Sequence, residues 1–279
     1  MKTKRFTINK KNKINLIDFF KSNNLKKSLK TQIQNYLKEI ENNGSIILKN
    51  YPLTKNYIKD FKKFSSLFGI VHKQNKEGMQ VVKIENEKKK WNAKNRGYKT
   101  SEKLDLHTDG GKISMLLCIN SSLNGGENLK LDAETIYSRL DESLKKKLFN
   151  GFKYHTRHEA KSRAIITKKK YPIFFFNKKN TLHCMYNSKP ILEAVKHTKL
   201  KDDLKTINKF KKIIENLKKN YEIFKINPGE IWIVNNFKVL HGRKKFKDIN
   251  EKRLLLRSWV SPKKFKYKGK TILDAYNDR

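Results

Sequence analysis

Leu25, Leu29, Ile33, Leu37 and Ile40 recur at the three-and-four spacing of an amphipathic helix, and Gly44 stands where such a helix stops. Ser45 to Lys49 then reads as a strand. Thr54 predicts the cap of a second helix that carries Tyr57, Ile58, Phe61 and Phe64 and ends at Gly69. Gln80 to Ile84 alternates as a strand does, whereas residues 85–103 are charged and irregular and predict a long loop of the kind that often carries function. Lys112 to Ile119 reads as a buried strand. Asp132 and Asp141 predict successive caps of helices bearing Ile136, Leu140, Leu144 and Leu148. Phe152 to His158 and Tyr171 to Phe176 have strand character. Leu200, Leu204, Ile207, Phe210, Ile214 and Leu217 mark a long amphipathic helix before the last strands. Helices fall among these short strands too irregularly for a parallel βαβ sheet. The pattern predicts a mainly β protein with flanking helices, a double-stranded β-helix or jelly roll. It spans one domain over residues 1–279, opened by a helical segment over about residues 1–43.

Composition adds little to this except at the surface. Hydrophobic residues make up 37%, with 16 Phe, 11 Tyr and 3 Trp, enough for a real core. No run approaches the ~18 apolar residues of a membrane span, and the Met-Lys-Thr-Lys-Arg start has no apolar leader segment. Cys118 and Cys184 sit in separate apolar runs, which points to buried thiols in a reducing, cytoplasmic setting rather than a disulfide or zinc site. The net charge of +40 raises the question of a polyanionic partner. Yet of 66 basic residues 57 are Lys and nine are Arg, scattered along the whole chain beside 29 Asn. Phosphate and base readers lean on Arg and interleaved aromatics. Biased composition is therefore the favoured reading, and specific nucleic-acid binding is not expected. The Lys168–Lys170 run reads as a solvated turn. Nothing in the sequence specifies an oligomeric state.

Candidate chemistry concentrates in two places. Leu104-Asp-Leu-His107-Thr-Asp109-Gly-Gly111 puts an imidazole and a carboxylate two residues apart, on one face if the chain is extended there. Trp232-Ile-Val-Asn-Asn-Phe-Lys-Val-Leu-His241-Gly-Arg243 brings a second imidazole out of an apolar strand. Together His107, Asp109 and His241 would make the two-His-one-carboxylate triad that leaves open positions on non-haem Fe(II). A lone His-x-Asp carries little, since seven His and eleven Asp in 279 residues give roughly 0.3 such pairs by chance. Its context carries more. Arg253 and Arg257 follow in the strand-like run Arg-Leu-Leu-Leu-Arg-Ser-Trp-Val, four apart and on one face with Leu255 and Trp259. Two buried guanidiniums need anionic partners, and their planar forks suit carboxylates. Structural salt bridges are the bland alternative. His155, His158 and His183 have no partner motif and read as polar strand residues.

At these residues the chain resembles the taurine dioxygenase-like group of Fe(II)/2-oxoglutarate-dependent oxygenases, which includes γ-butyrobetaine hydroxylase and the clavaminate-synthase-like amino-acid hydroxylases. The resemblance covers roughly residues 44 to 262. It runs from Gly44-Ser-Ile-Ile-Leu-Lys-Asn-Tyr-Pro-Leu53 and Phe64-Ser-Ser-Leu-Phe-Gly69 through His107-Thr-Asp109, Gly125-Gly-Glu-Asn128 and Asp132-Ala133. It closes on Pro228-Gly-Glu-Ile-Trp232, Asn235-Asn236, His241-Gly-Arg243 and Arg253-x-x-x-Arg257-x-Trp259. The resemblance implies that His107, Asp109 and His241 bind the iron. It further implies that Arg253 meets the distal carboxylate of the co-substrate 2-oxoglutarate, and that Arg257 holds an anionic group of the substrate or supports the co-substrate. Where the family commonly has a Thr, this chain has Asn128, whose amide can donate a similar hydrogen bond to 2-oxoglutarate. Asp109 is a true carboxylate, not the Gly or Ala of related halogenases, so no chloride site opens.

The expected activity is a dioxygenase that uses Fe(II), 2-oxoglutarate and O₂ to hydroxylate an unactivated C–H bond of a small anionic or amino-acid-like substrate. Desaturation, ring closure or C–X cleavage would follow the same chemistry. Two other readings remain open at this level. One is a basic RNA- or protein-associated binding module, and the other an oxygenase acting on a macromolecule.

Overall fold

The computed structural model describes residues 2–75, 77–87, 97–155, 166–177, 179–248 and 252–262. Its centre is β structure. A seven-stranded sheet runs in the order Lys4–Thr7, Ser45–Lys49, Ile231–Asn235, Ile113–Asn120 and Leu254–Ser261, with Ile70–Val71 and Val81–Ile84 both along the far edge of Leu254–Ser261. A four-stranded sheet runs Glu222–Phe224, Asn128–Asp132, Val239–Arg243 and Leu104–His107. All these pairings are antiparallel except Lys4–Thr7 on Ser45–Lys49.

The strands of the large sheet read as continuous apolar runs because both faces are covered, and their period-two alternation sorts side chains between two cores. Ile46, Leu48, Met115, Leu117, Ile231, Ile233 and Leu256 pack outward against the N-terminal helices. Their neighbours Ile47, Leu116, Cys118, Trp232, Val234 and Leu255 point inward with Val239 of the smaller sheet. A third core lies under the helices that cover the smaller sheet, with Leu129, Leu131 and Leu240 at its base. The protein is thus mainly β in plan, with helices on both outer faces. No described helix is long and apolar enough to cross a membrane.

Most predicted elements are present, and the departures have local causes. The first 43 residues are not wholly helical. Lys4–Thr7 is a strand, followed by helices Lys10–Ser22 and Lys27–Asn43. The first helix is capped by Asn9, which accepts from the Asn12 N–H at 2.8 Å. Helix Tyr57–Ser66 forms as expected, but Thr54 does not cap it; its hydroxyl donates to Asp60 at 2.5 Å. Asp132 heads the Ala133–Tyr137 helix without a side-chain cap bond, pairing with Lys130 instead at 3.3 Å. Asp141 does cap, accepting from the Leu144 N–H at 2.7 Å. Phe152 and Tyr171 meet only as an isolated bridge, and regular strand is confined to Phe174–Phe176, paired with Leu182–Cys184. Residues 156–165, including His158, lie outside the described residues. A helix at Ser188–Thr198 precedes the expected one at Lys201–Asn216; its start is signalled by Asn187, which caps the Lys189 N–H, and by Pro190 in its first turn.

Gly44 ties a helix end to the strand that carries one of the candidate ligands. It sits at φ 73°, and a Cβ there would stand 2.7 Å from Val239 Cγ1. Gly44→Ala is therefore expected to cost about 1–3 kcal/mol, from left-handed strain together with overlap. Denaturant unfolding of Gly44→Ala with and without Val239→Ala separates the two, since the second change relieves only the overlap. An unchanged midpoint in Gly44→Ala would contradict this reading.

Candidate active site

Register brings the two imidazoles together. His107 closes Leu104–His107 and lies directly opposite His241 on Val239–Arg243, so the rings share one face with centroids 4.7 Å apart. Asp109 lies just past the strand end, where the chain is held by several bonds. The Thr108 N–H donates to the Tyr186 carbonyl (2.7 Å), and the Asp109 N–H to Asn236 Oδ1 (3.2 Å). The Asn236 amide donates in turn to the Gly111 carbonyl at 2.6 Å. Gly110 and Gly111 let this turn lie against Trp259, whose ring or Cβ would be 2.7–2.9 Å from an added Cβ. The Gly-Gly turn after His-x-Asp is thus a packing requirement.

The donor atoms of His107, Asp109 and His241 lie within 4.8 Å of one another; among the described residues no other three His, Cys, Asp or Glu side chains converge so. His107 Nδ1 faces the Asp105 carbonyl at 2.8 Å, which leaves Nε2 pointing inward, 3.8 Å from Asp109 Oδ1. His241 Nε2 is 3.2 Å from Asp109 Oδ2. Burial, followed by the facing His241, pushes the His107 imidazole down to about 4. It is therefore neutral near pH 7, the form a metal ligand needs. Burial alone would raise the Asp109 carboxyl, but Arg257 and the two histidines outweigh it and hold the group well below the usual carboxylate range. A neutral His107 imidazole, the facing His241 and one ionised carboxylate, all buried or nearly so, fit a divalent iron.

Arg257 is built into this cluster. It is buried, donates from Nη1 to Asp109 Oδ1 at 3.0 Å and from Nε to Gln74 Oε1 at 2.9 Å, and lies between the Tyr98 and Trp259 rings at 4.9 and 4.5 Å. Ser114 donates to Asp109 Oδ2 at 2.7 Å. Gln74 in turn donates to the carbonyls of Gln80 and Arg257, both at 2.9 Å. Neither Ser114 nor Gln74 stood out in the sequence, since one is a small polar residue inside a strand and the other a lone amide in a connection.

Arg253 precedes the Leu254–Ser261 strand, offset from it by a register shift at Leu254/Leu255. It is also buried, over the Phe246 ring at 5.2 Å, and its Nη1 has no acceptor. With Asn128, Leu116, Trp232 and Leu255 it lines a narrow cleft leading from His241. The Asn128 amide reaches the Phe224 carbonyl at 3.4 Å. A second, wider cleft opens on the other side of the cluster, walled by Tyr154, Tyr186, Trp259 and Arg257. His107, Asp109 and Arg257 border both. His183 and His155 lie elsewhere; His183 stacks on Phe237 and His155 on His197.

A buried two-histidine, one-carboxylate cluster between two clefts, carried by facing antiparallel sheets, defines a mononuclear non-haem iron oxygenase. Residues 7–259 match the family described as taurine catabolism dioxygenase TauD, TfdA family, and the chain belongs to it. It is accordingly an Fe(II)- and 2-oxoglutarate-dependent dioxygenase. Solved structures resemble it in fold. One is asparagine oxygenase in complex with Fe(II), 2S,3S-3-hydroxyasparagine and succinate, at 12% identity and TM-score 0.71, over 92% of this chain and 93% of that one. Another is the non-haem iron oxygenase OrfP in complex with Fe, succinate and (3S)-hydroxy-L-Arg, at 11% identity and TM-score 0.67, over 92% and 94%. No curated protein matches the sequence.

Two predictions follow from the charges. His107→Ala is expected to abolish tight Co(II) or Fe(II) binding while leaving the metal-free fold intact. Asp109→Ala should do the same to the metal but also destabilise the metal-free protein by about 3–5 kcal/mol, because it leaves Arg257 buried without its acid. Co(II) absorption titrations paired with urea unfolding read both effects, and equal stability of the two variants would contradict the Arg257 pairing.

The second concerns pH. The unfolded His107 imidazole titrates near 6.5, roughly the ordinary value, and the folded one near 4. Between those values only the unfolded chain takes up the proton, so the metal-free protein should lose stability as pH falls from about 6.5 towards 4. His183, pushed to about 4 chiefly by burial, acts in the same window. Unfolding midpoints at pH 7 and pH 5 should differ in this direction, and less in a His107→Ala, His183→Ala double variant.

Proposed function

We propose that the protein hydroxylates a free amino acid or a similarly small anionic substrate. The observation that carries this reading is the pair of clefts meeting at one triad and lined by buried arginine: Arg257 borders both, and Arg253 only the narrow one. Asparagine oxygenase and OrfP, with their hydroxylated amino acids, support the substrate class by likeness of fold. Facing seven- and four-stranded sheets support a jelly-roll reading of the architecture. Buried free thiols at Cys118 and Cys184 support a reducing, cytoplasmic setting.

In this reading His107, Asp109 and His241 would hold the iron, which would supply, with O₂ as oxidant, the coupling of 2-oxoglutarate decarboxylation to hydroxylation of a C–H bond. Arg253 receives the distal carboxylate of 2-oxoglutarate, with Asn128 beside it. Trp232, Leu116 and Leu255 keep that cleft dry, which strengthens a charge-assisted pair. Arg257 receives an anionic group of the substrate. It is held for this by Gln74 and by the rings of Tyr98 and Trp259, so its position owes little to the ligand. The residues thus act mainly by positioning.

Succinate release with Fe(II), ascorbate and 2-oxoglutarate, screened over amino acids, betaines and sulfonates, tests the substrate class; stimulation by none of the amino acids would refute it. Arg253→Ala should raise the KM for 2-oxoglutarate ten- to a hundredfold, or about 1.4–2.7 kcal/mol, and Arg253→Lys should recover only part. Arg257→Ala should change co-substrate affinity less and instead consume 2-oxoglutarate without product. Equal loss of co-substrate affinity in both variants would show the division of roles to be wrong.

A further inference from the structure

Next to Arg253 stands a second buried guanidinium that the reaction as described does not use. Arg243 is 3% exposed and lies two residues past His241 on the same strand. It borders the same narrow cleft as Arg253, Asn128 and Trp232. Its Nη2 donates to the carbonyls of Thr100 (2.7 Å) and Glu102 (2.5 Å), while Nε and Nη1 are buried with no acceptor. The Nη1 of Arg253 is also buried without one. Both guanidiniums face the single ring of Phe246, at 4.7 and 5.2 Å.

Among the described residues no carboxylate forms an ion pair with either guanidinium. Asp248, whose charge is felt by both, accepts from the Arg253 backbone N–H at 2.9 Å. Two like charges buried side by side with three donor nitrogens unanswered are expensive to maintain. The arrangement makes sense if an anion completes it. One carboxylate offers two oxygens and about four acceptor positions, enough for donors from both residues.

We propose that Arg243 is a second co-substrate-binding residue, which shares with Arg253 the distal carboxylate of 2-oxoglutarate. The proposal rests on the reading of this cleft as the seat of 2-oxoglutarate. Arg243 divides its donors between two tasks. Nη2 fastens the Thr100–Glu102 backbone, next to the Gly97–Lys99 turn that carries Tyr98. Nη1, on the opposite side of the guanidinium from the Nε–H, remains for the ligand. Filling the cleft with a carboxylate therefore also braces the segment that covers Arg257.

Calorimetric titration of the anaerobic Mn(II) protein with 2-oxoglutarate and with 2-oxobutyrate tests this. The two ligands share the 2-oxo-acid head, and only the first has a distal carboxylate. The wild-type protein should prefer 2-oxoglutarate. Arg243→Ala and Arg243→Gln should each lose about tenfold of 2-oxoglutarate affinity with 2-oxobutyrate affinity unchanged. The Gln amide ends where the Arg243 Nε stands and does not reach the Thr100 and Glu102 carbonyls, so both variants lose the brace with the charge, and the difference between the two ligands is what reports on charge. Arg243→Lys should fall between. Equal weakening of both ligands would reduce Arg243 to a brace, and wild-type affinity in Arg243→Gln would likewise overturn the proposal while leaving the cleft assignment standing. A wild-type protein with no preference for 2-oxoglutarate would refute the cleft assignment itself, and the proposal with it.

Discussion

Asp109 is a carboxylate taken out of water, and most of the site can be understood as the means of keeping it ionised there. Arg257 and the hydroxyl of Ser114 reach it from the large sheet, and the imidazoles of His107 and His241 from the small one. Each of these contacts is exact only if the two sheets face each other in one register. The inward-pointing layer of Trp232, Val234, Leu116 and Leu255, packed with Val239, sets that spacing. A charge that hydrophobic packing alone would expel is thus retained because the same packing delivers its partners. The cluster is ready for a cation, as the neutral His107 and the ionised Asp109 have no need to rearrange their protons near pH 7.

The rest of the interior carries a surplus of positive charge. Arg243, Arg253 and Arg257 are all buried within one continuous space, and only Arg257 has an acidic partner among the described residues. Burial lowers the Arg243 and Arg253 guanidiniums to about 9 and about 10, and their mutual proximity adds to this for Arg243. A protein core tolerates such a surplus where an anion is a regular occupant. The co-substrate 2-oxoglutarate brings carboxylates, so the interior is complementary to it in charge before it arrives. The lysine-rich surface is different in kind: side chains such as Lys147, Lys170 and Lys209 pair with acids at the outer helices, and many others face water.

Much of this was legible in the sequence. The helical run ending at Gly44, the buried strands beginning at Ser45 and Lys112, the His107-x-Asp109 pair and the Arg253/Arg257 spacing all follow from local periodicity and residue chemistry, which the chain carries whatever its tertiary structure. Local rules failed where two neighbours competed for one group. Thr54 and Asp132 look like helix caps, yet the Thr54 hydroxyl accepts from the Asn56 N–H ahead of the helix and donates to Asp60, while Asp132 pairs with Lys130. The aromatic run at Tyr171–Phe176 has strand propensity throughout, but only its last three residues find a strand to pair with.

What the sequence determined by itself was the inventory: two imidazoles and a carboxylate suited to iron, arginines too rare against 57 lysines to be incidental, and enough apolar alternation to build the sheets. Which groups meet was decided only by the tertiary structure. The pairing of His107 with His241 spans 134 residues and depends on strand register, and Gln74 and Ser114 gain roles only because Arg257 and Asp109 fall beside them. Arg243 stands in the sequence only as part of the His241-Gly-Arg243 segment, with no role of its own. It becomes distinctive only when folding buries it beside Arg253, because an unanswered charge is a property of the surroundings and not of the residue.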